Sequence, residues 1–183
     1  DAEREHLRAS TRVTPDDVRR RLSDHPYAYD QVALSHIFIA VGPIPDGGQR
    51  SEAQALAKAG QIKKQLDGGA NFADLARAES EDKQTAGQGG ELDPMLGMYM
   101  STAFLPTVSH LHDGDISTPI RGPIGYHIIL VQQHTEATYD KTHAMIEALL
   151  RDEAADNTIE KWIRDTPVSF DKPTLAGHGS RVP

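Results

Sequence analysis

The segment that most constrains this chain is Gln31 to Val41, QVALSHIFIAV. Val32, Leu34, His36, Phe38 and Ala40 alternate with Ala33, Ser35, Ile37, Ile39 and Val41, the two-residue period of a β-strand. A strand needs partners for its backbone groups, so the chain must build a sheet around it. Tyr126 to Gln132, YHIILVQ, predicts a second strand in which Tyr126, Ile128, Leu130 and Gln132 alternate with His127, Ile129 and Val131. Ile116 to Ile120 predicts a third, short strand between the turns Asp113-Gly114-Asp115 and Gly122-Pro123. Both longer strands carry a histidine among apolar residues: His36 beside Leu34 and Phe38, and His127 beside Ile129 and Val131. One histidine in a strand is ordinarily a packed structural residue. Two in separate strands of a small sheet point to a paired site, with packed core residues as the competing reading.

Helix signals surround these strands. Thr14 as N-cap, Pro15 at the first helical position and Asp16-Asp17 in the first turn start a helix that carries Val18 and Leu22 and stops near His25-Pro26. Gly42 to Gly48 breaks regular structure. Ser51 with Gln54 forms a capping-box pattern, followed by Ala55, Ala59, Ile62 and Leu66 at helical spacing and ended by Gly68-Gly69. Asn71 caps a shorter helix through Phe72, Leu75 and Ala76, and Ser80 to Gly90 is a loop by composition. A short helix is expected around Thr102 to Ser109 despite Pro106. A last helix, from about Asp140 to Asp165, carries Met145, Leu149, Ile159 and Trp162, with an irregularity expected at Asn157. The fold class is α+β, with a small, mainly antiparallel sheet and helices before and after it.

Charge and composition remove several function classes. The 183 residues hold no cysteine, so disulfides, thiolate catalysis and cysteine metal sites are excluded together. Lys plus Arg is 19 against 27 for Asp plus Glu, a net charge of −8, which argues against a nucleic-acid partner. No apolar run approaches the ~20 residues of a membrane-spanning helix. The opening DAEREHLRAS has no charged-then-apolar leader, the expectation for a cytosolic or already processed chain. His110-x-His112 has the spacing of a metal pair, yet its neighbours Asp113 and Gly114 predict an exposed turn. Neither a Gly-x-Ser-x-Gly elbow nor a His-Glu-x-x-His helix occurs, and Gly87-Gln88-Gly89-Gly90 lacks the strand, helix and lysine of a phosphate loop. Met95, Met98 and Met100 read either as gap-filling core or as an adaptable apolar surface.

The order of motifs is more specific than any one of them. Ser35-His36-Ile37 ends a strand, and Gly69-Ala70-Asn71-Phe72-Ala73-Asp74-Leu75-Ala76, Ser80-Glu81-Asp82 and Gly89-Gly90-Glu91-Leu92 follow in series. Gly114-Asp115-Ile116-Ser117, Pro119-Ile120 and Gly125-Tyr126-His127-Ile128-Ile129 complete it. From about Val32 to Gln133 the chain resembles the parvulin family of peptidyl-prolyl cis-trans isomerases, and its flanking helices resemble those of bacterial extracytoplasmic foldases.

The resemblance implies a four-stranded, mainly antiparallel sheet surrounded by helices, with N- and C-terminal flanking helices. It implies an isomerase domain at 31–134, helical extensions at 1–30 and 135–167, and a mobile tail at 168–183. By this likeness His36, Asp82 and His127 form the catalytic group, and Leu92, Met100 and Phe104 receive the proline ring, with Met100 and Phe104 on one helical turn. No cofactor or metal is implied. The implied partners are proline-containing unfolded or exported polypeptides in a periplasmic or other extracytoplasmic bacterial compartment. Three departures stand out: a longer loop over Lys83 to Gln88, Asp93-Pro94 after Leu92, and Gly122 where the family carries a threonine. The loop between Val41 and Ser51 has a single basic residue, Arg50, so selectivity for phosphorylated Ser-Pro or Thr-Pro is not expected. A non-catalytic chaperone using the same surface is the alternative.

Overall fold

The structure is a computed structural model that describes residues 2–44 and 47–166. The chain forms α1 (Ala2–Ser10), α2 (Pro15–Asp24), β1 (Gln31–Ala40), β2 (Gly42–Pro43), β3 (Gln49–Arg50), α3 (Glu52–Asp67) and α4 (Phe72–Glu79). Then follow β4 (Met95–Leu96), α5 (Leu105–Val108), β5 (Ile120–Arg121), β6 (Gly125–Thr135) and α6 (Tyr139–Asp165). Contacts divide it into two units, one of residues 15–143 and one of residues 2–14 with 144–166.

In the larger unit the sheet has the order β4-β1-β6-β5, with every pairing antiparallel. This is the α+β architecture expected from the strand pattern. Ile37, Ile39, Tyr126 and Ile128 face Ala55, Ala59, Ile62, Leu66, Phe72 and Ala76 of α3 and α4. On the other face Val32, Leu34, Ile129 and Val131 pack with Met100, Val108 and Ile120. The alternation along β1 and β6 thus sorts their side chains between two apolar clusters, and both histidines lie on the face that meets α5. β1 pairs with β6 from Gln31↔Thr135 to Ala40↔Gly125, interrupted by a bulge at Ala33/Leu34.

Local signals account for the helix ends. The Ser51–Gln54 capping box is formed, and the Asn71 side chain accepts from Asp74 N at 3.0 Å. Three elements differ from expectation. Pro119 has no N–H for a ladder, so the third strand shrinks to Ile120–Arg121, and Ile116 makes only a single bridge to Leu130. Residues 42–50, read as irregular, contain the short β2–β3 pair. The helix expected over Thr102 to Ser109 narrows to Leu105–Val108, with Pro106 in its first turn.

In the smaller unit Arg4 forks onto Asp156, with Nε to Oδ1 at 2.6 Å and Nη2 to Oδ2 at 2.9 Å. α6 runs unbroken through Asn157. No helix among the described residues is long and apolar enough to cross a membrane. The tail expected at 168–183 lies outside the described residues.

Candidate active site

His36 sits at the middle of β1 and His127 near the start of β6. The register pairs His36 with Ile129 and Phe38 with His127, so the two histidines are diagonal neighbours on one face. Their rings stack with centroids 5.5 Å apart and planes 20° from parallel, and Nδ1 meets Nδ1 at 3.2 Å. Residues 91 positions apart in sequence thus share one hydrogen bond.

Asp82 completes a chain of contacts. Its Oδ2 lies 2.8 Å from His36 Nε2 and also accepts from Thr85 Oγ1 at 2.8 Å. Thr85 Oγ1 in turn is 3.0 Å from His36 Nε2, and Gln84 N donates to Asp82 Oδ1 at 3.0 Å. The loop bearing them is tied to β1 at two points. Glu81 N donates to Phe38 O at 2.8 Å and Phe38 N donates to Ser80 Oγ at 3.1 Å. Beyond it His36 N donates to Gly90 O at 2.8 Å. Gly90 has φ +83°, and a Cβ there would come within 2.2 Å of His36 O, so only glycine allows this approach.

Electrostatics separate the members of the group. Burial alone would push the Asp82 carboxyl up, but the hydrogen bonds from Thr85, Gln84 and His36 outweigh it and hold Asp82 below the ordinary carboxylate range. Burial, and then the neighbouring His36, push His127 down from 6.5 to about 4, against a smaller opposite pull from Asp82. His127 is therefore neutral at physiological pH, beside an ionised Asp82. The ionised Asp82 carboxylate accepts from His36 Nε2–H, and the two Nδ1 atoms share one proton between them as donor and acceptor.

His36, Phe38, Glu81, Asp82, Ile124 and His127 line an open cleft of about 230 Å³. Phe38 and Phe104 each bring a ring to within 4.8 Å of the His127 centroid. Arg50 Nη1 donates to Glu81 Oε2 at 2.7 Å, and Lys58 Nζ reaches Glu81 Oε1 at 3.4 Å. Burial would push the Glu81 carboxyl up, but its bonds from Arg50 and from Ala40 N prevail and lower it. Leu92, Met100 and Phe104 belong to the apolar cluster beneath that face, with Met100 only 8% exposed. Met100 and Phe104 do not share a helical turn: Met100 ends the 3₁₀ turn Gly97–Tyr99, and Phe104 precedes α5. Met98 is 41% exposed, so the three methionines do not form one surface.

Residues 36–133 match the rotamase family model described as a PPIC-type PPIase domain. The chain belongs to this family. The parvulin-type PPIase resembles the chaperone SurA of Methylobacillus flagellatus, at 33% identity over 81% of this chain and 33% of that protein. It is 38% identical to SurA of Chromohalobacter salexigens over 64% of this chain and 26% of that protein. The chain thus spans about a third or less of the length of these curated relatives. The crystal structure of the peptidylprolyl isomerase PrsA from Bacillus cereus shares its fold, with TM-score 0.60 and 22% identity over 95% of this chain and 62% of that one. A crystallised PpiC-type isomerase domain does so with TM-score 0.53 and 24% identity, over 62% of this chain and 98% of that one.

Reading the sequence of this PPIC-type domain missed Thr85, Phe38 and Ile124. Asp82-x-x-Thr85 has the spacing of a side-chain turn, a local signal that was present. Phe38, two residues from His36 in β1, shares its face by strand alternation, whereas Ile124 carried no such signal, because its place in the cleft depends on how β6 pairs with β1.

Proposed function

We propose that the module at 31–134 catalyses cis-trans rotation of Xaa-Pro bonds in unfolded or exported polypeptides. The observation that carries this reading is the His36–His127 pair, joined to Asp82 and touching Phe104 of the adjoining apolar cluster. Amide resonance opposes rotation with a barrier of roughly 18–20 kcal/mol, and Xaa-Pro bonds exchange over tens to hundreds of seconds. No bond breaks, so the site has only to bind the twisted amide better than either planar form. Lowering the barrier by about 4–5 kcal/mol accelerates exchange on the order of a thousandfold.

In this reading His36, Asp82 and His127 are the catalytic group, and Leu92, Met100 and Phe104 grip the proline ring. The ring sits against Phe104, which also touches His127. A neutral His127 gives the twisted bond a polar edge without placing a full positive charge beside it. Asp82, through His36, fixes the orientation of the pair. None of the three acts as a nucleophile. The compartment proposed is extracytoplasmic, in keeping with the likeness of the flanking helices to exported bacterial foldases.

Exchange of short Xaa-Pro peptides, followed by NMR with catalytic amounts of the protein, tests the reading. Acceleration that falls in His36→Ala and Phe104→Ala supports it. No acceleration across varied residues before proline overturns it. A second reading, a chaperone that holds unfolded clients, is favoured by the likeness to proteins named SurA chaperones. Suppression of client aggregation that persists in an isomerase-dead variant is its signature.

A further inference from the structure

Gly122 stands in the turn joining β5 to β6, with its N donating to Gly125 O at 2.8 Å. Its backbone does not call for glycine, since it is absent from the glycines of positive φ. What leaves no room for a side chain is His127. A Cβ on residue 122 would lie 2.9 Å from both Cδ2 and Nε2 of that ring, closer than real carbons approach. The ring has little freedom to retreat. Its Nδ1 side is held by His36 at 3.2 Å, and the rings of Phe38 and Phe104 close on it at 4.8 Å each.

We propose that Gly122 is a positioning residue for the isomerase site: the missing side chain is the space that lets His127 keep its contact with His36. The inference rests on the isomerase reading of the cleft and adds to it a geometric requirement. Among the described residues His127 Nε2 has no hydrogen-bond partner, so the chain of contacts ends at an open ring nitrogen facing Gly122. The family's threonine would place a hydroxyl and a β-carbon on that side. Here the hydroxyl of the network stands at the opposite end, on Thr85, between Asp82 and His36. Glycine at 122 and threonine at 85 thus make one arrangement, in which the histidine pair is anchored from the Asp82 loop and left free beside the β5–β6 turn.

Gly122→Ala in the full chain tests this with the smallest possible addition. The expected result is a fall in kcat/KM of at least about tenfold, as a displacement of the ring by a fraction of an ångström implies. Ring nitrogen NMR reads the position directly. The His127 resonances are expected to shift as the Nδ1 contact with His36 breaks, and the acid midpoint to rise from about 4 toward the ordinary 6.5 as the ring leaves its buried place. A double-mutant cycle on unfolding stability gives the cause without any catalysis: Gly122→Ala is expected to destabilise the wild-type protein and to cost little in a His127→Ala background. Should Gly122→Ala alone fail to fold, recovery of folding in the double variant carries the same meaning. Unchanged His127 resonances with kcat/KM within about twofold of wild type overturn the proposal. So does a stability cost, or a folding failure, that persists undiminished when His127 is alanine. Absence of turnover in the wild type counts against the isomerase reading alone, because the ring resonances and the stability cycle still report on Gly122.

Discussion

At the scale of single residues, Thr85 braces one end of the catalytic group, between Asp82 and His36. Its hydroxyl donates to Asp82 Oδ2 and lies against His36 Nε2, so its loss leaves Asp82 with one fewer bond and a freer His36. Thr85→Val keeps the shape and removes the hydroxyl. It is expected to lower kcat/KM by about tenfold, the scale of one hydrogen bond to a charged group, while Thr85→Ser retains most activity; peptide exchange measures both. His127 gives a pH dependence with a defined sign. In the unfolded chain it takes up a proton near 6.5, and in the folded chain only near 4. Between those values the unfolded state binds the additional proton, so folding stability falls as pH drops through this window and levels off below it. Urea unfolding of the wild type and of His127→Asn across that range checks the prediction, which requires a shallower fall in the variant.

At the scale of elements, α4 delivers the catalytic loop. Asn71 caps its N-terminus, its C-terminal end leads into Ser80, Glu81 and Asp82, and Ser80 and Glu81 both bond to Phe38 of β1. Asn71→Ala is expected to cost about 1 kcal/mol of stability with little change in kcat/KM, because the bonds to β1 fix Asp82 independently of the cap. Thermal unfolding and peptide exchange measure the two effects. The caps of α3 and α4 were legible because each depends on residues three positions apart. The strand at 116–120 was not, since what stops it is the missing N–H of Pro119, while Ile120 and Arg121 are recruited by β6. The shared helical turn of Met100 and Phe104 failed for a similar reason. Met98 N donates to Ala28 O and Gly97 N to Asp30 O, which pins that segment to the chain ahead of β1 rather than in a helix.

At the scale of the whole molecule, a net charge of −8 sets the environment that a client meets. The two carboxylates lining the cleft are Glu81 and Asp82, and Arg50 and Lys58 are both engaged with Glu81. Among the described residues, a peptide with an acidic or phosphorylated residue before proline meets no cluster of cations in the cleft. Its kcat/KM is expected to fall below that of an apolar counterpart and to recover with added salt; a comparison at low and high ionic strength checks this. The sequence alone determined the strands, the capped helices and the common face of His36 with Leu34 and of His127 with Ile129, because periods of two and 3.6 residues and cap chemistry act between near neighbours. The order of its motifs also determined the family. Tertiary structure decided that the two histidines meet at Nδ1, that Thr85 rather than residue 122 supplies the hydroxyl, and that a glycine makes room for an imidazole. Those contacts join residues far apart in the chain, and strand register, a bulge and close packing set them, none of which a local pattern encodes.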